Sequence, residues 1–120
     1  MLRPYVVKSV TKNDTIISES KVKVLSQVIS KECAEYLGNL MVDVVKSGTG
    51  TRAGIYGVTV AGKTGTAENE TDRDHAWFVG YAPAEDPQIA IAVILENDGR
   101  SGGEAAAPIA GNVIRRFLGK

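Results

Sequence analysis

The chain has 120 residues, 43% of them apolar, with 14 Lys+Arg against 14 Asp+Glu. That length holds one small domain, and zero net charge excludes the basic excess of a nucleic-acid binder. One Cys and one His exclude a disulfide framework and a structural zinc site, and no apolar run reaches the about 18 residues of a membrane span.

Residues 5–10 and 15–18 are rich in β-formers, and Lys12, Asn13 and Asp14 between them favour a turn. The pattern predicts an N-terminal hairpin. Ser30 then opens a helix as its N-cap, with Glu32 in the first turn where the helix dipole favours an acid. Cys33, Tyr36, Leu37, Leu40, Met41, Val44 and Val45 recur at helical spacing as one apolar stripe, and Gly48 is the expected stop. Cys33, lying on the stripe, is expected to be a small buried hydrophobe.

Residues 48–57 form a Gly-punctuated loop. Extended structure is expected from Val58 onward, and the polar, acidic residues 68–74 read as a solvated loop. Residues 76–82 and 88–95 read as two more strands, antiparallel across a short turn bounded by Pro83 and Pro87. In the last strand Ile89, Ile91, Val93 and Leu95 point one way and Ala90, Ala92 and Ile94 the other. Both faces are apolar, so both are expected to be covered, the smaller one by a closely packed helix. That helix is predicted over residues 103–118, where Ala106, Ile109, Ala110, Val113, Ile114, Phe117 and Leu118 form a stripe. Pro108 within it predicts a kink. Hairpin, helix, three strands and helix make an α+β fold with an antiparallel sheet.

Two motifs mislead. Residues 57–64 fit the phosphate-loop pattern GxxxxGK[ST] letter for letter. A phosphate loop needs backbone freedom and a helix starting at its Lys, yet its interior here is the β-branched Val58-Thr59-Val60, and Thr64-Gly65-Thr66 is a poor helix start. Residues 48–53 fit a loose dinucleotide fingerprint, but they follow a helix and no βαβ unit surrounds them. The acids Glu68, Glu70, Asp72 and Asp74 lack the Gly and the final Glu of a calcium loop. His75 is the only His, no motif ties it to a nucleophile, and it is expected to be structural. No motif calls for a cofactor or a metal, and none is expected.

What remains is Lys63-Thr64-Gly65-Thr66 on an extended segment. Thr64 and Thr66 share a face at period two and can donate hydrogen bonds to a carboxylate. Lys63 adds positive potential. Gly65, with no side chain, lets a ligand lie against the strand, whose free amides can polarise a carbonyl.

Four stretches stand in a fixed order: Gly-Thr-Gly-Thr-Arg-Ala at 48–53, Val-Ala-Gly-Lys-Thr-Gly-Thr-Ala-Glu at 60–68, His-Ala-Trp-Phe-Val-Gly-Tyr-Ala-Pro at 75–83, and Gly-Glu-Ala-Ala-Ala-Pro at 103–108. Together, from Pro4-Tyr5-Val6-Val7 to the last helix, the chain resembles the C-terminal part of the transpeptidase domain of class B penicillin-binding proteins. Their signatures are S-x-x-K, S-x-N or S-D-N, and K-T-G. The resemblance implies a serine transpeptidase-like fold, of which residues 1–120 are a single partial domain. It implies a D,D-transpeptidase that cross-links peptidoglycan through an acyl-enzyme on Ser and is trapped by β-lactams.

By that likeness Lys63, Thr64, Gly65 and Thr66 line the pocket for the carboxylate of substrate or drug, and the amide of Thr66 is one oxyanion donor. The implied partners of the full-length parent are the peptidoglycan stem peptide, ending in D-Ala-D-Ala, and β-lactams, with no nucleic acid. The implied location is the extracytoplasmic face of the bacterial membrane, with an anchor upstream.

The other two signatures precede K-T-G in the family, and here only 62 residues do so, none reading Ser-x-Asn or Ser-Asp-Asn. Ser9-Lys12, Ser18-Lys21 and Ser20-Lys23 match Ser-x-x-Lys, but they fall in the predicted hairpin and just after it, where i and i+3 point to opposite faces. The catalytic Ser and its Lys are therefore expected to lie outside this chain, which alone is expected to be inactive and prone to self-association. Two other readings stay open: a non-enzymatic binding or scaffolding module that keeps the fold, and a phosphate-loop nucleotide binder.

Overall fold

A computed structural model describes residues 1–70 and 72–120. The chain divides into two units, Met1–Ala34 and Glu35–Lys120.

In the first unit β1 (Ser9–Lys12) pairs with β2 (Thr15–Glu19) antiparallel. Asn13 and Asp14 join them at φ 50° and 60°, the left-handed pair that a two-residue type I′ turn requires. Lys12 pairs with Thr15 and so belongs to the strand, and a register shift between Val10 and Thr11 marks a bulge. The first strand thus starts later than the β-rich run at residues 5–10 predicts. Those earlier residues lie beside the segment after β2 instead: Arg3 N–H donates to the Lys23 carbonyl and Ser20 N–H to the Lys8 carbonyl, both at 2.8 Å.

Helix α1 (Lys31–Lys46) starts as the sequence predicts, the Cys33 N–H donating to Ser30 Oγ at 3.2 Å. Its apolar stripe is buried only at the far end. Val45 is in the core, Met41, Val42 and Val44 are half-buried, and Tyr36, Leu37, Leu40 and Cys33 are exposed. The expectation of a buried Cys33 is thereby corrected: the stripe is real, but its first two turns are exposed among the described residues.

In the second unit β3 (Ala61–Ala67), β4 (His75–Ala82) and β5 (Ile89–Leu95) form an antiparallel sheet in the order β3-β4-β5. β3 begins three residues after Val58. The acidic loop expected at 68–74 includes Thr71, which lies outside the described residues. The β4–β5 turn contains a cis Ala82-Pro83 bond. Helix α2 (Ala106–Phe117) packs on the sheet face that carries Ile89, Ile91, Val93 and Leu95. This reverses the expectation for β5: the larger face meets the helix, while Ala90, Ala92 and Ile94 are exposed. The close approach comes from the helix instead, whose Ala106, Ala107, Ala110 and Gly111 are buried. A Cβ on Gly111 would lie 3.0 Å from Ala53 Cα. Ala53 lies in the short 3-10 turn Thr51–Ala53.

α2 runs unbroken through Pro108. The proline occupies the first turn, where a main-chain N–H has no partner within the helix. The Glu104 carbonyl, which an N–H at 108 would have met, accepts from Arg52 Nη1 at 3.2 Å. The core is built mostly from alanines around two fully buried large side chains, Phe78 and Ile114.

Candidate active site

β3 carries the predicted site residues at the edge of the sheet. β4 pairs along one side, and no strand lies along the other among the described residues. Paired residues of an antiparallel ladder share a face. Thr64 and Thr66 therefore share the face of Phe78 and Ala76, and Lys63 and Gly65 that of Val79 and Trp77. Lys63 and Thr66 are exposed, Thr64 and Gly65 half-buried. Lys63 Nζ donates to the Thr64 carbonyl at 2.6 Å. No helix starts at Lys63, so the phosphate-loop match has neither the loop nor the helix it requires.

Two loops back this strand. The first follows α1: Gly50 N–H donates to the Val44 carbonyl at 2.9 Å, ending the helix and delivering Thr49 to β3. Thr49 Oγ1 and Thr64 Oγ1 lie 2.6 Å apart. The second loop precedes α2. Ser101 Oγ donates to Glu104 Oε2 at 2.8 Å, Ser101 N–H donates to the same oxygen at 3.1 Å, and Glu104 N–H donates to Ser101 Oγ at 3.3 Å. This is a capping box, legible as Ser-x-x-Glu but absent from the predicted elements. Those bonds to Ser101, with a smaller contribution from Arg52 and Arg100, hold the Glu104 carboxyl below its usual range. The box fixes Gly102, whose missing side chain matters: a Cβ there would overlap the Trp77 carbonyl and the main chain of Gly65.

At the far end of β4, His75 Nδ1 accepts from the Asn97 N–H at 2.9 Å and so ties β4 to the turn after β5. In that turn Arg100 grips Asp98 through Nε at 2.6 Å and Nη2 at 2.8 Å, which lowers the Asp98 pKa. The three Ser-x-x-Lys matches lie off any helix: Ser9 and Lys12 are both in β1, Ser18 is in β2, and Ser20 Oγ donates to the Val7 carbonyl at 2.6 Å. A cavity of 510 Å³, lined by Val42, Val45, Ile55, Val58 and Val60 among others, touches no residue from Lys63 to Thr66. The strand presents an open edge, not a closed pocket.

The family model of the penicillin-binding protein transpeptidase domain matches residues 1–115. The chain belongs to that family. It is 39% identical to the peptidoglycan D,D-transpeptidase PbpA of Mycolicibacterium smegmatis, over 98% of this chain and 26% of the relative. It is 37% identical to the stage V sporulation protein D of Bacillus subtilis, over 96% of this chain and 20% of the relative. Penicillin-binding protein A of M. tuberculosis, solved as a ceftriaxone acyl-enzyme complex, superposes with a TM-score of 0.87 at 37% identity, over 98% of this chain and 28% of that one. The chain thus spans between a fifth and just over a quarter of the length of these relatives. The resemblance to the penicillin-binding transpeptidases and the α+β fold read from the sequence both hold.

Proposed function

We propose that residues 1–120 belong to the transpeptidase domain of a longer peptidoglycan D,D-transpeptidase and supply the β3 wall of its active site. The observation that carries this reading is the unpartnered edge of β3, where Lys63 and Thr66 stand exposed beside Gly65. Lys63 draws in a carboxylate, and the Thr64 and Thr66 hydroxyls donate to it. Main-chain groups of alternate residues face the same edge of a strand. The Thr64 carbonyl, reached by Lys63 Nζ, therefore sets the direction of the Thr66 amide, which becomes a donor to a developing oxyanion.

The substrate is the stem peptide ending in D-Ala-D-Ala, and β-lactams occupy the same place. The acyl-accepting Ser and its Lys come from outside this chain. The enzyme works on the extracytoplasmic side of the bacterial membrane; within the chain itself, no helix of the described residues is long and apolar enough to cross one.

A labelled penicillin tests the division of labour. The chain alone forms no covalent adduct, because no Ser here sits with a base on one helix face. The longer protein forms one, on a Ser outside residues 1–120. A stoichiometric mass shift on the isolated chain would overturn the assignment.

A further inference from the structure

The Thr49 and Thr64 hydroxyl oxygens are 2.6 Å apart, within the O–H···O range, and either could donate. Each hydroxyl owns one proton. A proton that Thr64 gives to Thr49 is not there for a ligand on β3. In the opposite direction Thr64 accepts from Thr49 and keeps its own proton to give outward, and chains of donors polarised in one direction strengthen each other.

Thr49 is held for this part. Its carbonyl abuts Gly103, where a Cβ would overlap it and would also lie 3.7 Å from Thr64 Cγ2. Three residues on, Arg52 is anchored on the Glu104 carbonyl, and the Ser101–Glu104 box fixes the loop that carries Gly102 and Gly103. The loop after α1, β3 and the loop before α2 are thus locked together at Thr49.

We propose that Thr49 is a positioning residue of this site: it donates to Thr64 Oγ1, so that the Thr64 proton is presented to the carboxylate of the ligand. The proposal rests on the carboxylate-binding reading of β3. Thr49 itself makes no contact with substrate in this scheme.

The test compares acylation of the longer transpeptidase by penicillin G and by its methyl ester, which lacks the charged carboxylate. Unmutated protein is expected to prefer the acid, and Lys63→Ala to abolish most of that preference. Thr49→Val is expected to lower the acid-to-ester ratio about fivefold, the worth of one neutral hydrogen bond. Thr49→Ser restores it. Thr49→Val combined with Thr64→Val loses no more than Thr64→Val alone, since both act through one proton. Should Thr49→Val fail to fold in a thermal melt, Thr49→Ala carries the same expectation.

An unchanged ratio in the folded Thr49 variant, or an equal fall in both rates, would overturn the role of Thr49 while leaving the carboxylate reading intact. No acid preference in the unmutated protein, with Lys63→Ala equally indifferent, would overturn the reading and this proposal together.

Discussion

The ring of Phe78 lies where a side chain at Gly62 would have to stand. A Cβ on Gly62 would overlap Phe78 Cζ, and one on Gly80 would come within 2.9 Å of Phe78 Cε1. The two glycines face each other across the β3–β4 ladder, two pairs along from Phe78 and its partner Thr64, so the aromatic of the core seats itself on bare backbone directly before Lys63. Gly62→Ala forces that ring off its rotamer. Overpacking of this kind costs about 1–3 kcal/mol, and a denaturant melt is expected to show a loss in that range. A melt unchanged from the parent would mean that the ring is free to move and does not fix the level of β3.

The chain is expected to self-associate when isolated. Tyr36, Leu37 and Leu40 stand exposed along α1, Val79 and Ile94 are 42% and 41% exposed on the sheet, and β5 carries seven uncharged residues along an edge that no strand pairs among the described residues. Apolar patches and flat edges of this kind promote association. Light scattering is expected to give a mass above that of a monomer, with uptake of a hydrophobic dye. A clean monomer without dye uptake contradicts the view that much of this surface is normally covered.

Acid is expected to weaken the second unit. Arg100 lowers the Asp98 pKa and the Ser101 hydrogen bonds lower that of Glu104. A carboxyl depressed by folding adds stability that is fully present above its unfolded value of about 4 and is lost as pH falls through the folded one. Melting temperature is therefore expected to hold steady from neutral pH down to about 5 and to fall below it. The double variant Asp98→Asn, Glu104→Gln is expected to flatten that fall. An equally steep fall in the double variant would place the acid sensitivity elsewhere.

Signals local in the chain were legible, and those that depend on distant partners were not. Ser30 announces α1, and the Pro-bounded turn announces β4 and β5, because caps and turns act within a few residues. Lys63 to Thr66 stand out as candidates by their residue types on an extended segment together with the family resemblance, and the structure places all four on the edge strand β3. The facing of β5 was misjudged because α2 brings its own small residues, Ala106, Ala107 and Ala110, so the strand need not supply them. Pro108 reads as an interior residue only if the helix is taken to start at residue 103; α2 starts at Ala106, which puts Pro108 in the first turn. The Thr49–Thr64 contact joins residues 15 apart on two different elements, and no spacing in the sequence marks it.

Within the site, substitutions at Gly65 and Thr66 are expected to rank unequally in acylation of the longer protein. Thr66→Val keeps the main-chain amide and nearly the same shape, losing one neutral hydrogen bond, about fivefold in rate. Gly65→Val is expected to be more severe, because its branches stand where the ligand must lie and its Cβ already meets Trp77 Cβ at 3.3 Å. Stopped-flow acylation with a chromogenic cephalosporin separates them. A Thr66→Val loss as large as that of Gly65→Val would show that the hydroxyl, not the open backbone, dominates.

The most direct measurement is the acylation rate of the Lys63→Ala variant of the longer transpeptidase, with a thermal melt to show that it is folded. A charge-assisted hydrogen bond to a carboxylate is worth roughly 10–150-fold in rate, and a loss of that size is the expected result. Acylation at the unmutated rate by a well-folded Lys63→Ala protein would contradict the carboxylate-binding role and leave β3 a structural strand.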